Sequence, residues 1–213
     1  YEIAQCLVGS EMCIRDSTVT VQNTDVLSIN IDLSSPIGMG NLVVKPKQKG
    51  ETTVTVKDNV TNETVNLKIK IVDSYLNLKV AHPAQVPYSG GENLFFINNS
   101  DRDFYLFDEK MEKKECTGNY QFLIKNSTCY MILNFDKELN DKSTYEYNIS
   151  NTSERMFTLI EILLGVDWNM KADLINRSTR SASPVIMNAV DTETNLTQYF
   201  VAGSNDIPEN ILD

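Results

Sequence analysis

Histidine is almost absent from this sequence, and His82 is the single example in 213 residues. Histidine is the side chain most often used as a general base and as a metal ligand, so its scarcity weighs against many catalytic and metal sites. The sequence also contains no G-x-S-x-G motif, Walker loop or dinucleotide-binding fingerprint. We therefore expect no catalytic residue, no cofactor and no metal site, and a protein that is not an enzyme.

Positive charge and long apolar runs are also scarce. The chain has 19 Lys and Arg against 29 Asp and Glu, which gives a formal net charge of -10. Nucleic-acid surfaces need clustered Lys and Arg, so no nucleic-acid partner is expected. The longest apolar run, Leu159–Val166, is interrupted by Glu161 and is shorter than the about 20 residues of a membrane-spanning helix. The sequence therefore predicts no transmembrane segment.

Cysteine is limited to four residues. Cys116 and Cys129 flank a stretch that reads as a strand followed by a turn. If Ile124 pairs with Cys129 across that turn, Cys116 lies far along the ladder, and a disulfide needs Cα atoms within about 7 Å. Two thiols are favoured, and a Cys116–Cys129 bridge is the alternative.

The other two cysteines, Cys6 and Cys13, lie in a segment with neither strand alternation nor a helical stripe. Residues 7–17, LVGSEMCIRDS, resemble a translated sequencing adapter of the transposase type. A signal peptide would need a basic start and an apolar stretch of about 7–15 residues, and a zinc site would need other ligand spacings. We expect residues 1–17 to be an artefactual or disordered leader, with natural sequence starting near Thr18 and the true N-terminus missing.

Apolar and polar residues alternate with a period of two through the following third of the chain. In TVNLKIKIV, for example, Val65, Leu67, Ile69 and Ile71 share one face. Such alternation, with short Gly-, Pro- and Asn-containing turns, is typical of half-buried strands in an antiparallel sandwich.

This region resembles the bacterial Ig-like repeat domain of the BIG2 type. The matching elements are Asp25-Val26, Gly40-Asn41-Leu42 and the stretch GETTVTV at 50–56. The resemblance covers residues 18–73 and implies an N-terminally truncated Ig-like β-sandwich that acts as a spacer or adhesion module. Gly50 has its own reason to be there, because a tight turn into a strand often needs positive φ.

Residues 74–213 are again rich in strand patterns separated by turn residues. Sequential strands with short loops predict an antiparallel meander, either barrel-like or a sandwich, and closure would remove exposed edges. The strand that begins at Gly118 and its hairpin resemble lipocalin-like domains. One segment differs, because Asn151 as N-cap and Gly165 as stop predict a short helix, with a buried strand over 152–164 as the alternative. The overall fold class is therefore all-β with one short helix.

Several aromatic side chains of the second region are candidate ligand contacts: Tyr105, Phe107, Tyr145, Tyr147 and Trp168. Flat aromatic rings on an open sheet face bind sugar rings or peptides, although most such rings belong to the core. Three carboxylates, Asp101, Asp103 and Asp108, could suggest calcium, but Tyr105 stands among the positions that would have to supply oxygen or glycine, so a solvated turn is the simpler interpretation.

The two-domain order resembles envelope lipoproteins of gut Bacteroidota. It implies a non-enzymatic protein of the cell envelope or a secreted one, with a glycan or an envelope protein as partner and a lipid anchor on the missing N-terminus. The alternative is a lipocalin-like barrel that carries a small apolar ligand. A third hypothesis is a hydrolase with two carboxylates about 5–10 Å apart in an aromatic cleft.

The leader generates the first prediction. Its few apolar residues bury too little area to offset an ordering cost of about 1–2 kcal/mol per residue. Deleting residues 1–17 should leave the melting temperature of the protein unchanged or slightly raised, as measured by thermal unfolding. In the intact chain, Cys6 and Cys13 should react quickly with an alkylating reagent while Cys129 reacts slowly. A large loss of stability on deletion would contradict this prediction.

Overall fold

The computed structural model describes residues 17–32, 41–168, 185–204, 208 and 211. Over these residues the chain is mostly β-strand with one short helix, which confirms the predicted all-β class. No helix in these ranges has the length and apolar character that crossing a membrane requires.

The chain divides into two compact units, Tyr1–Val72 and Asp73–Asp213. The strands of the first unit are Ser17–Val21 (β1), Leu27–Asp32 (β2), Asn41–Pro46 (β3), Gly50–Asp58 (β4) and Thr64–Ile71 (β5). Strands β1, β4 and β5 form one antiparallel sheet in that order, and β2 pairs with β3 in another. Both sheets contribute to one core around Leu27, Val54 and Val56.

Two details of the first unit bear on the sequence predictions. Gly50 has φ +145°, and a Cβ there would lie 3.1 Å from Val26 Cγ2, so the expected requirement for glycine is confirmed. Ser17 pairs with Asp58 as the first residue of β1. The rest of the predicted leader, with Cys6 and Cys13, lies outside the described residues.

The second unit is a closed antiparallel barrel, which decides between the predicted barrel and sandwich. Its strands are Tyr75–Val80 (β6), Asn93–Ile97 (β7), Asp103–Phe107 (β8), Lys114–Lys125 (β9), Thr128–Leu139 (β10), Lys142–Asn148 (β11), Ile186–Asp191 (β12) and Thr197–Ala202 (β13). Each strand pairs with its neighbours in sequence, and β13 pairs with β6 to close the ring.

Because successive strands run in opposite directions, their connections alternate between two ends of the barrel. The end that carries loop 81–92 is here called the plug end, and loops 108–113 and 192–196 lie at the same end. The opposite end carries loop 98–102 and the helix Glu154–Leu164 (α1), and is called the helix end.

The helix is confirmed, but its predicted N-cap is wrong. Ser153, not Asn151, is the N-cap: its backbone is extended and its side chain accepts a hydrogen bond from the Met156 N–H. Gly165 ends the helix in the left-handed conformation, with φ 62°, as expected. The face packed on the barrel core comprises Met156, Phe157, Ile160 and Leu164.

The register of β9 and β10 decides the cysteine question. Cys129 pairs with Ile124, as assumed from the sequence, while the pairing at the far end of the ladder reaches Gly118 opposite Phe135. Cys116 therefore lies towards the plug end and Cys129 towards the helix end. Both are buried thiols, and the bridged alternative is wrong.

Gly118 is a point of close approach within the barrel wall. A Cβ at this position would lie 2.0 Å from the carbonyl oxygen of Asn134 and 2.7 Å from Cε1 of Phe104. The Phe104 ring fills the space instead, and it meets the Phe135 ring edge to face with centroids 5.0 Å apart. A glycine in a strand interior weakens the strand, so this one marks a steric requirement.

Replacing Gly118 by alanine should therefore destabilise the protein. The added methyl would overlap backbone that cannot move independently of the ladder, and overpacking of this kind costs about 1–3 kcal/mol. The free energy of unfolding in urea measures the change. Gln121→Ala, at an exposed position of the same strand, is the control and should shift stability by less than about 0.5 kcal/mol. Equal effects of the two substitutions would contradict the steric argument.

Candidate functional site

Loop 81–92 is folded back over the plug end by hydrogen bonds to its own residues. The Val80 N–H donates to the Glu92 carbonyl at 2.8 Å, and the Gly91 N–H donates to the Val80 carbonyl at 2.9 Å. The Glu92 carboxylate accepts from the N–H groups of Ser89 and Gly90 at 2.6 and 2.7 Å. The loop is thus an ordered element with a fixed course.

A buried glutamine fastens the same loop to the barrel wall. Gln198 Oε1 accepts from the Gln85 N–H at 2.7 Å, and its Nε2 donates to the carbonyls of Tyr199 and Ala81 at 2.8 and 3.4 Å. Gln198 lies on β13, so the loop depends on the strand that closes the barrel.

The lone histidine has a packing role in this loop. A Cβ on Gly90, which has φ +103°, would lie 2.2 Å from the His82 ring. The imidazole therefore covers the glycine directly. Within the described residues, no group of three or more His, Cys, Asp or Glu side chains is placed to hold a metal ion.

The loop inserts one aromatic side chain, Tyr88, into the barrel interior. Tyr88 belongs to the same buried cluster as the inward residues of the strands. Its ring meets the ring of Phe200 edge to face, with centroids 5.6 Å apart. Tyr145 and Tyr147, both on β11, stack with centroids 6.3 Å apart and lie in the same cluster. The plug end of the interior is thus lined by phenol rings.

Tyr88 and Tyr147 bring two buried hydroxyl groups into proximity without satisfying them. Among the described residues, neither hydroxyl has a partner at standard hydrogen-bond geometry. The two hydroxyls nevertheless act on each other, with Tyr88 as the donor and Tyr147 as the acceptor. Burial raises the pKa of Tyr88 well above its usual range, and the nearby Tyr147 adds to the rise. Burial likewise raises the pKa of Tyr147, with Tyr88 opposing the rise and the negative charge of Asp191 adding to it. Both groups are therefore neutral phenols at physiological pH.

Even a small rotation of one ring would not satisfy both groups. A tyrosine hydroxyl carries one proton to donate and can also accept. If either hydroxyl donated to the other, the proton of the acceptor would still lack an acceptor of its own. Among the described residues, at least one buried O–H of this pair therefore has no acceptor.

Other interior aromatics with polar tips are satisfied by backbone carbonyls. The Tyr120 hydroxyl donates to Ile97, the Tyr145 hydroxyl to Leu139, and Trp168 Nε1 to Phe157. This pairing is the normal condition of a buried tyrosine or tryptophan. The Tyr88–Tyr147 pair departs from it within the same core.

The helix end of the interior is filled and tied down. The Trp168 ring packs edge to face on Phe157 at 5.0 Å and on Phe122 at 5.9 Å between centroids. Arg102 Nη1 donates to the carbonyl of Leu164 at the end of α1 at 2.5 Å, and the Ser74 hydroxyl donates to the carbonyl of Leu163 at 2.6 Å. This end of the barrel is therefore held shut by contacts from two other segments.

The predicted ligand-contact aromatics do not share one surface. Tyr145 and Tyr147 lie inside the barrel near the plug end, and Trp168 lies inside at the helix end. Tyr105 lies on the outer face with Lys114 Nζ 5.4 Å from its ring centroid. Phe107 is buried against Phe95, away from the interior cluster, with ring centroids 5.7 Å apart.

Asp103 and Asp108, two of the three carboxylates considered for calcium, are not brought together. Asp103 and Asp108 lie at opposite ends of β8. Asp103 accepts from the Asn99 side chain at 2.7 Å, and Asp108 accepts from the Glu112 N–H at 2.8 Å. Both carboxylates thus stabilise turns, which agrees with the simpler interpretation of this stretch.

Sequence reasoning missed Tyr88, the residue that completes the site. Its signal was an aromatic residue between Pro87 and the pair Gly90-Gly91, in a stretch otherwise typical of an exposed loop. An aromatic side chain in such a loop must either face solvent or return to a core, and here it returns to the barrel interior.

Comparisons of the chain with family models, curated proteins and solved structures gave no match. The resemblance to a BIG2-type domain therefore stays an expectation from the sequence.

Cys116 lies beside the tyrosine pair but is not poised as a nucleophile. Burial raises the pKa of its thiol from the ordinary 9.0 to about 11, against the opposing charge of Lys137. The thiolate is the reactive form of cysteine, so this group is inert near neutral pH.

The raised thiol pKa predicts a specific loss of stability in alkali. Between about pH 9 and pH 11 the unfolded chain releases the Cys116 proton while the folded chain retains it, so the free energy of unfolding falls as pH rises. The loss should reach about 2 kcal/mol near pH 11 and be absent below pH 8. Urea unfolding of the parent protein and of Cys116→Ala over this range isolates the effect from the tyrosines. Parallel pH profiles for the two proteins would refute it.

Proposed function

We propose that the barrel formed by β6–β13 binds one small, largely apolar molecule in its interior, next to Tyr88 and Tyr147, and that it does so without catalysing a reaction. The observation that carries this proposal is the buried pair of hydroxyls, in which at least one O–H has no acceptor among the described residues. Ligand sites combine an apolar lining with a few polar groups that fix the orientation of the ligand. The plug end of this barrel has that composition.

The size of the barrel is compatible with this role. An eight-stranded barrel has an interior that side chains fill or that one small ligand occupies. Aromatic rings fill the helix end, so space for a ligand has to come from the plug end. A ligand would reach it by displacing Tyr88, which is carried on a loop rather than on a strand.

The rim beside the loop supports access from this side. Val86 in the loop, Leu196 before β13 and Tyr199 on β13 are large apolar residues exposed to solvent. Val86 follows Gln85 in the chain, and Leu196 and Tyr199 lie within two residues of Gln198, whose side chain accepts from the Gln85 N–H. An apolar rim favours the approach of an apolar molecule, because contact there removes both surfaces from water.

The first unit fits a supporting role in the same proposal. Its sheets share a small core and resemble an Ig-like spacer in sequence. With the resemblance of the chain to envelope lipoproteins, this favours a cell-envelope or secreted binding protein in which the first unit acts as a spacer.

Replacing Tyr147 by phenylalanine tests this function. The ring and its stacking on Tyr145 would be retained, while an unsatisfied buried hydroxyl would be removed. The ligand-free protein should become more stable by about 1 kcal/mol, and the retention of ligand should fall. Urea unfolding measures the first effect, and native mass spectrometry of the whole chain, purified from its source under mild conditions, measures the second.

The control is Tyr130→Phe, in a residue that lies on the outer face beside Lys125. It should change neither the stability nor the mass spectrum. A wild-type protein that carries no small molecule after such purification, and whose melting temperature no apolar compound raises, would refute the binding function.

A further inference from the structure

The side chain of Tyr88, which occupies the plug end of the barrel, indicates what kind of molecule fits there. Tyr88 reaches the interior from a loop, and its ring contacts Phe200 edge to face at a centroid distance of 5.6 Å. Its hydroxyl lies in the neighbourhood of the Tyr147 hydroxyl. The loop therefore places a phenol in an aromatic site with one hydroxyl opposite it.

We infer that Tyr88 occupies the position of the ligand, and that the ligand is a neutral, compact aromatic molecule bearing one hydroxyl or carbonyl oxygen, as a simple phenol does. This inference rests on the proposed function and specifies its substrate class. The ring of the ligand replaces the ring of Tyr88 against Phe200. The oxygen of the ligand accepts a hydrogen bond from the Tyr147 hydroxyl, which has no other acceptor among the described residues.

The charge of the surroundings restricts the ligand to a neutral species. The groups around the site are phenols, a protonated thiol at Cys116 and apolar rings. The nearest charge that acts on Tyr147 is the negative Asp191, whose carboxylate accepts hydrogen bonds from the turn residues Glu193 and Thr194. The ammonium groups of Lys137 and Lys142 act on Cys116 and Tyr145, but their hydrogen bonds go to the Glu115 carbonyl and the Glu193 carboxylate. An aromatic carboxylate in the interior would therefore lose its hydration without a cation of its own, which is strongly unfavourable.

The attachment of the loop explains how Tyr88 can leave without unfolding the barrel. Tyr88 itself makes one backbone bond, from its N–H to the Gln85 carbonyl at 2.9 Å. Its departure would also break the bonds from the Ser89 and Gly90 N–H groups to the Glu92 carboxylate, but not the bond between Gln85 and Gln198. The following residues Gly90 and Gly91 have positive φ and lack side chains that would resist a change of course. A movement of residues 86–90 would empty the site while β6, β7 and β13 stay paired.

The test uses the full chain and three related probes: 4-methylphenol, toluene and 4-methylbenzoate. In Tyr88→Ala the occupying ring is gone, so 4-methylphenol should bind at least about tenfold more tightly than it binds the parent protein. It should also bind about tenfold more tightly than toluene, which cannot use the Tyr147 hydroxyl. 4-Methylbenzoate should not bind. Isothermal titration calorimetry gives the dissociation constants.

Tyr88→Ala/Tyr147→Phe is the deciding variant, because it keeps the space and removes the hydroxyl. The preference for 4-methylphenol over toluene should disappear in it. Tyr130→Ala, in a residue on the outer face beside Lys125, is the control and should behave as the parent. Equal affinities of Tyr88→Ala for 4-methylphenol and toluene, or no binding of either, would overturn the inference.

If Tyr88→Ala does not unfold cooperatively, the same probes are titrated into the parent protein and into Tyr147→Phe by NMR. A preference for 4-methylphenol that is the same in both would then overturn the inference. The proposed function fails separately. If the purified protein carries a molecule without an aromatic ring, the binding function stands and the inference of a phenol-like ligand is refuted. If Tyr88→Ala binds 4-methylphenol selectively and the parent protein binds no ligand, the site stands and the binding function is refuted.

Discussion

The pairing of β13 with β6 is the interaction on which the rest of the barrel depends. Phe200, Val201 and Ala202 pair with Val80, Lys79 and Leu78, so the last strand of the unit meets the first. Such non-local pairing forms only after a long loop has closed, at an entropic cost that local hairpins avoid. Once formed, it removes both exposed edges and brings Gln198 beside loop 81–92. The candidate site therefore exists only because the ring is closed.

Closure also fixes which side chains share the interior. Alternation along each strand sends every second residue inward, and the small residue Gly118 leaves room for the ring of Phe104 within this curved wall. The aromatic rings towards the helix end interlock with Trp168 and α1, which makes that end rigid. The plug end instead carries a loop residue as its last packing element. The two ends thus differ in how readily their contents can be exchanged.

The strands, the all-β class and the helix followed from the sequence because a period of two and a capped apolar stripe are local signals. The separation of Cys116 from Cys129 was predicted as well, because the turn between β9 and β10 fixes the pairing of Cys129 with Ile124. The candidate site could not be predicted from the sequence. Tyr105 and Tyr147 look equivalent in sequence, and only the closed ring decides which of them points inward. Tyr88 could not be placed, because its position depends on β13, a strand far away along the chain.

The chemistry of the interior argues for a role beyond packing. Phenylalanine at positions 88 and 147 would keep the same ring contacts with Phe200 and Tyr145 and would avoid burying two hydroxyls without partners. Each such hydroxyl costs about 1–3 kcal/mol. The chain satisfies the polar tips of Tyr120, Tyr145 and Trp168 with backbone carbonyls in the same core, so the fold is able to pair such groups. A core selected for stability alone has no use for this unmatched pair, whereas a site that must recognise an oxygen on an apolar ligand does.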